Sequence, residues 1–222
     1  MSKAKDYLLL NWEKFFLEIV IILSLFLSHN IISLKFVKQE YVLLILTFVI
    51  ATYLIISSIY TLFYLTRKRD ALAVLIWSFI IVILVAFLGS IFTTSSVNSA
   101  WYDSIKPSIT PPNAVFPVAW GILFFLIALS LYSSWIYSTK QEKRKIVLAY
   151  GLNFALNILW SILYFGLHQV KLAFFEIILL FFSILIMIFV AHKIKRVTSY
   201  LLIPYLLWVG FASVLNYLSA FS

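Results

Sequence analysis

The stretch ALAVLIWSFIIVILVAFLGSIF, residues 71–92, contains no Asp, Glu, Lys or Arg. A bilayer's hydrocarbon core, about 30 Å thick, is crossed by about 20 apolar residues in helical form, so this run is long enough to span it. Its apolar side chains occupy odd and even positions alike, unlike the alternating ~10-residue strands of a membrane barrel. Six further runs read the same way: residues 15–34, 41–65, 114–137, 146–167, 172–191 and 199–221. The expected fold is therefore an all-α integral membrane bundle of seven spans.

Composition agrees. Of 222 residues, 64% are apolar and 11% charged, against about 45–50% and about 25% in soluble domains. Such a chain has too little polar surface for a water-soluble fold and too much apolar surface for disorder. It contains no cysteine, which excludes a disulfide scaffold and a thiolate metal site. The first run follows Lys3, Lys5 and Lys14 but shows no small-residue cleavage site before Lys35, so it reads as a retained anchor.

The net charge of +9 would suggest nucleic acid in a soluble protein. Here the cations sort by gap. Lys3, Lys5, Lys14, Arg67, Lys68, Arg69, Lys140, Lys143, Arg144, Lys145, Lys193, Lys195 and Arg196 fall on one side of the seven spans. Lys35, Lys38, Lys106 and Lys171 fall on the other. Loop Lys and Arg mark the cytoplasmic side, so the N-terminus is expected inside and the C-terminus outside. The charge is a topology signal, and no nucleic-acid partner is expected.

The third gap differs from the others. It reads WYDSIKPSITPPNAVFPVAW over residues 101–120 and holds four of the five prolines. Each proline fixes φ and removes a donor, so the segment is expected to be stiff and non-helical until the next span begins. Pro117 then falls in that span's first turn, where a missing N–H costs nothing. A stiff outer loop ending in Trp and Tyr reads either as a cavity lid or as an interfacial aromatic anchor.

This segment resembles the first long loop of the TspO/MBR family, the tryptophan-rich sensory or translocator proteins. Two further blocks are similar to that family: NFALNILWSILYFG at residues 153–166 and LLIPYLLWVGFASVLNYL at residues 201–218. The resemblance covers residues 71–222 and leaves residues 1–70 as two additional helices of unassigned role. It implies a five-helix unit, usually dimeric, that binds porphyrins such as protoporphyrin IX or haem as ligands, with no obligatory cofactor. In some bacterial members it implies light-dependent porphyrin breakdown, with two pocket tryptophans that match Trp120 and Trp208. Two positions depart from the family: Ile109 and Ala114 stand where tryptophans are common, which implies weaker stacking or an altered ligand choice.

Periodicity gives an independent reading. At 100° per residue, Asn153, Asn157, Trp160 and Tyr164 share one stripe of the fifth span, while Gly151, Ala155, Ile158 and Ile162 occupy the opposite face. The first stripe reads as a pocket wall. The small pair Gly151 and Ala155 permits close helix approach, within one bundle or in a homodimer. Phe116, Trp120, Phe124, Ile127 and Leu131 align on the fourth span. Pro204, Trp208, Phe211 and Leu215 align on the seventh, with Ala212 beside them. By periodicity alone such stripes face lipid or core more often than a ligand; buried amides, which need partners, together with the family resemblance turn them inward. Trp101, Tyr102, Lys106 and Pro111 from the loop complete the expected ligand-binding set, with Lys106, Tyr102, Lys171 and His168 as a polar rim.

The three histidines lie near different helix ends, so iron ligation by His168 is a weak reading, and no metal site is expected. No carboxylate pair or nucleophile–base motif suggests ordinary catalysis. Glu176 and Glu18 lie near span starts and read as interfacial, which argues against an ion-coupled carrier. The seventh span contains no Lys, which removes a retinal Schiff base. The animal cholesterol motif is incomplete, since only Leu-Ser-Ala-Phe-Ser follows Tyr217. Three functions remain: a tetrapyrrole receptor, a photo-oxidative enzyme acting through Trp120 and Trp208, and a transporter of hydrophobic ligands.

Overall fold

The computed structural model describes residues 71–221. The expected spans at residues 15–34 and 41–65, and with them the count of seven, lie outside the described residues. Seven helices follow in chain order: α1 Ala71–Ser96, α2 Ala100–Ile105, α3 Val115–Tyr137, α4 Lys140–Ser161, α5 Val170–Ile194, α6 Arg196–Tyr200 and α7 Ile203–Phe221. The described residues contain no strand. Five helical segments are long and apolar enough to cross a bilayer: α1, α3, α4 with its following turn, α5, and α6 with α7.

Local chemistry explains where the helices start and stop. α4 begins at Lys140, six residues before the expected span, because Thr139 and Glu142 close a capping box. The Thr139 N–H donates to Glu142 Oε2 at 2.8 Å, and the Glu142 N–H donates back to Thr139 Oγ1 at 3.4 Å. This reciprocal cap satisfies two free donors and carries the QEKRK run as polar opening turns. The last expected span is broken into α6 and α7. Pro204 lies in the first turn of α7, and its ring cannot pack over the carbonyl of a continuous preceding turn. α1 runs four residues beyond the expected Phe92. There the Thr93 and Thr94 hydroxyls donate back to the carbonyls of Gly89 and Ser90, four residues earlier, at 3.2 and 2.8 Å, so they spend their hydrogens within the helix.

One correction concerns the proline-rich gap. Residues 100–105 are helical, not extended: Ser99 caps α2 by accepting the Tyr102 N–H at 3.2 Å. The helix stops at Lys106, whose ψ of 130° is extended, as expected of a residue that precedes proline. The stiff irregular segment is therefore confined to residues 106–114.

α4 is the central helix. In its most apolar window 56% of residues are buried, against 39% or less in the other four spans. It packs on α5 and α1, while α5 also packs on α7 and α1 on α3. α1 approaches α4 closely at Gly89, where an added Cβ would stand 3.3 Å from Ser161 Oγ. Gly151 and Ala155 lie half-buried on α4, beside the exposed Leu148 and Leu152.

Two polar clusters tie the helices together. Tyr205 on α7 donates to Asn153 Oδ1 at 3.2 Å and accepts from Asn157 Nδ2 at 3.1 Å, while Asn153 Nδ2 donates to Ser183 Oγ on α5 at 2.8 Å. Away from this layer, Tyr150 Oη lies 2.7 Å from Ser130 Oγ and 3.3 Å from Ser134 Oγ on α3. Within lipid such groups have no water to fall back on. Tyr205→Phe removes one donor and one acceptor at once, and is expected to destabilise the protein by about 1–3 kcal/mol. The check is a thermal or denaturant melt in detergent; an unchanged midpoint contradicts this account.

Candidate functional site

A cavity of about 430 Å³ opens between α1, α3, α4 and α7 and is closed on one side by α2 and the proline segment. Phe116, Trp120 and Phe124 line it from α3, Asn157 and Trp160 from α4, and Trp208 and Ala212 from α7. The rings pack edge-on or tilted: Phe116 against Trp208 at 5.9 Å and 71°, and Trp120 against Tyr205 at 6.1 Å and 65°. Such arrangements suit the aromatic quadrupole and leave ring faces bordering the space.

The fourth wall comes from an irregular turn. After α4 the chain enters a π-helical turn, Ile162–Gly166, closed by the Leu167 N–H to the Ile162 carbonyl at 2.8 Å. The wider turn aims Tyr164 and Phe165 together at the cavity, and such turns often occur at functional sites. Tyr164 Oη donates to Ser219 Oγ at 3.0 Å, and Ser96 Oγ donates to the Phe165 carbonyl at 3.0 Å. His168 ends the turn with φ of +55°, a conformation that side-chain-bearing residues adopt rarely.

Tyr102 closes the loop side. It is buried, and desolvation first, then Tyr164 and Asp103, push its phenol up to about 12. The folded state thus favours the neutral phenol. That contribution to stability is complete below the ordinary tyrosine value of 10 and is lost as pH rises through 12. At neutral pH Tyr102 is an uncharged hydroxyl at the cavity wall.

Other expected residues lie elsewhere. Trp101 stacks on His168, with centroids 3.8 Å apart at 17°, and presents an edge to Tyr164. Neither Trp101 nor His168 lines the cavity. Lys106 and Pro111 line an outer cup that shares Pro107, Thr110 and Asn113 with the cavity as common wall. Lys106 pairs with Asp103 and stands 5.9 Å from the Tyr102 ring centroid. Asn153 is committed to Ser183 and Tyr205, and Phe211 packs behind Trp208 at 5.9 Å. Ile127 and Leu131, on the same stripe as Trp120, are core residues.

Several lining residues were not anticipated. Ser90, Thr93 and Thr94 come from the polar end of α1, Asn98 and Asn113 from the loop, and Asn216 and Ser219 from α7. Asn216 carried a signal, being the single amide within the apolar α7. It accepts from Trp160 Nε1 at 2.9 Å and donates to the Val170 carbonyl at 3.0 Å. Two buried polar atoms of lining residues have no hydrogen-bond partner among the described residues: Trp208 Nε1 and Thr110 Oγ1. No charged side chain is among the described residues that line the cavity.

Glu176 lies in the second turn of α5, close to the start of the expected span. It lies inside α5 at 5% exposure, and both carboxyl oxygens are buried with no hydrogen-bond partner.

Comparison with known proteins places this geometry. The model of the TspO/MBR family matches residues 77–220. The tryptophan-rich protein TspO of Archaeoglobus fulgidus is 39% identical over 145 residues, covering 64% of this chain and 92% of that protein. Protein CrtK of Rhodobacter capsulatus is 33% identical over 131 residues, covering 58% and 79%. The translocator protein of Bos taurus is 31% identical over 134 residues, covering 59% and 79%. A further tryptophan-rich TspO relative comes from Bacillus cereus, in keeping with a bacterial cell membrane. With five apolar helices and a family match over most of its length, the chain is a multi-pass integral membrane protein that belongs to the TspO/MBR family.

Proposed function

We propose that the cavity between α1, α3, α4 and α7 binds a porphyrin, protoporphyrin IX or haem, and that the protein acts as a membrane receptor for it. One observation carries this reading. The cavity is walled by Trp and Phe rings yet keeps two buried hydrogen-bonding atoms, Trp208 Nε1 and Thr110 Oγ1, without partners. An unmade buried hydrogen bond costs about 1–3 kcal/mol, which a ligand acceptor would recover. A flat aromatic ring system with peripheral carboxylates offers faces for the rings and acceptors for these donors.

The size is suitable, since small-molecule pockets span about 300–1,000 Å³. Iron is not required by this fit: His168 lies against Trp101, and no histidine is among the described lining residues. Carboxylates reaching the outer cup would meet Lys106. The relatives named as sensory and translocator proteins agree with a ligand-responsive role.

Tryptophan quenching by protoporphyrin IX and by haem tests the reading. Loss of an indole face is worth about 0.5–1.5 kcal/mol. Trp120→Phe is therefore expected to weaken binding about three- to tenfold, and Trp208→Phe about tenfold or more because it also loses a donor. Trp208→Phe breaks no hydrogen bond of the free protein, so its melting midpoint should stay near wild type. Unchanged affinity in both variants overturns this site. The titration is repeated under light: a new pigment that requires both indoles would make the protein a photochemical catalyst.

A second reading, transport of the same ligand, is favoured by Glu176. An unpartnered carboxyl inside a membrane helix is the usual mark of a translocation pathway. In liposome counter-flow assays a transporter should exchange labelled porphyrin, and Glu176→Gln should retain binding while losing flux. Wild-type binding without flux removes this reading.

A further inference from the structure

The end of the bundle that carries the α3–α4 and α5–α6 turns gathers cations. Lys140, Lys143, Arg144 and Lys145 come from one turn, and Lys193, Lys195 and Arg196 from the other. The one acid among the described residues there, Glu142, is committed to capping α4 through Thr139. The described ion pair, Lys106 with Asp103, lies in the α2 loop and neutralises none of these cations.

The two turns are held together. Ser133 Oγ lies 2.7 Å from Thr198 Oγ1, and Ser130 Oγ donates to the Thr198 carbonyl at 3.2 Å. α4 and α5 form an antiparallel hairpin whose register is set by the bond from Asn153 to Ser183. Ten residues back along α4 and ten forward along α5 bring Lys143 and Lys193 to the same level.

Three of the lysines lie over aromatic rings. Lys195 Nζ stands 3.4 Å from the Tyr137 centroid, Lys143 Nζ 4.9 Å from Trp135 and Lys193 Nζ 5.4 Å from Phe189. Lys stems that fold along apolar surface hold the ammonium at headgroup depth, where Trp and Tyr also concentrate. Beside them Ile136, Tyr137, Val197 and Tyr200 are exposed. Loop charges that merely orient a chain have no need to fold over aromatic rings at both turns. Cations gathered with no described counter-ion repel one another, and a phosphate that accepts several N–H donors relieves this.

We propose that the α3–α4 and α5–α6 turns form a binding site for the headgroup of an anionic phospholipid, with Lys143, Lys193, Lys195 and Arg196 around the phosphate and the acyl chains along Ile136 and Val197. The exposed apolar residues select a lipid over a soluble polyanion, because acyl chains can cover them and a nucleic acid cannot. This site is separate from the aromatic cavity and does not depend on what the cavity binds.

Native mass spectrometry and melting of the full chain in detergent test the proposal, with phosphatidylglycerol and phosphatidylcholine as probes. The wild type should retain phosphatidylglycerol preferentially and melt higher in its presence. Each basic contact is worth about 1 kcal/mol, so Arg196→Gln should weaken phosphatidylglycerol retention about fivefold. Arg196→Gln combined with Lys195→Gln and Lys143→Gln should abolish the preference. Arg196 is exposed, so the single variant reads the site even where the triple variant fails to fold. Lys171→Gln, at the opposite end of α5, should leave retention unchanged and controls for loss of charge alone. Equal retention of both lipids overturns the proposal, as does retention unaffected by Arg196→Gln. Displacement by glycerol phosphate, or preferential capture of an oligonucleotide, also overturns it by assigning the patch to a soluble anion.

Discussion

The hydroxyl of Tyr205 stands between Asn153 and Asn157, and through Asn153 it is linked to Ser183. This contact fixes α4, α5 and α7 against one another in a medium that offers no water to buried amides. With the three helices held in this register, Trp208 faces Phe116, and Asn157 turns one side toward the cavity while its amide stays bound. The hollow is therefore framed by polar contacts, with apolar packing filling the space outside them. Loss of the central hydroxyl would leave two amides to find new partners, each alternative involving a shift of whole helices.

The end of the bundle that carries α2 is built differently. There the backbone itself is irregular: a π-helical turn, a residue at positive φ, a six-residue helix and a proline segment. These features meet around the Trp101–His168 stack and the Ser96–Phe165 bond. Irregular backbone in a membrane protein is tolerated where it is covered by protein or borders a cavity, and both conditions hold here. The prolines keep residues 106–114 irregular, with two tight turns, so the loop closes the hollow without a regular element of its own.

Much of the candidate site was legible because aromatic residues at helical spacing are conspicuous. The stripe of Phe116, Trp120 and Phe124 and the Trp208 position follow from 100° steps, and the family resemblance turned those stripes inward. The α1 wall was not legible. Ser90, Thr93 and Thr94 sit near a helix end, where hydroxyl residues commonly serve the backbone, and that ordinary use hides a second role. Asn153 was grouped with Asn157 by angle alone, yet the helix places it one turn away, at the level of Ser183. The loop helix escaped notice because the prolines dominated the reading, although Ser99 before Ala100 is a cap signal. The burial of Glu176 was not legible for another reason: distance from a span's start gives depth along the axis, whereas burial depends on which neighbours face it.

The hydroxyls on α1 have a further consequence. Ser90, Thr93 and Thr94 each spend their hydrogen on a carbonyl of their own helix, those of Phe87, Gly89 and Ser90. What they can still turn toward the hollow is oxygen lone pairs. Across the space, Trp208 keeps an uncommitted N–H buried within the wall. The chamber is thus polarised from wall to wall, electron-rich along one helix and proton-rich along another, with no net charge among its lining residues. A guest with donors on one edge and acceptors on the other would be oriented before any charged group touched it.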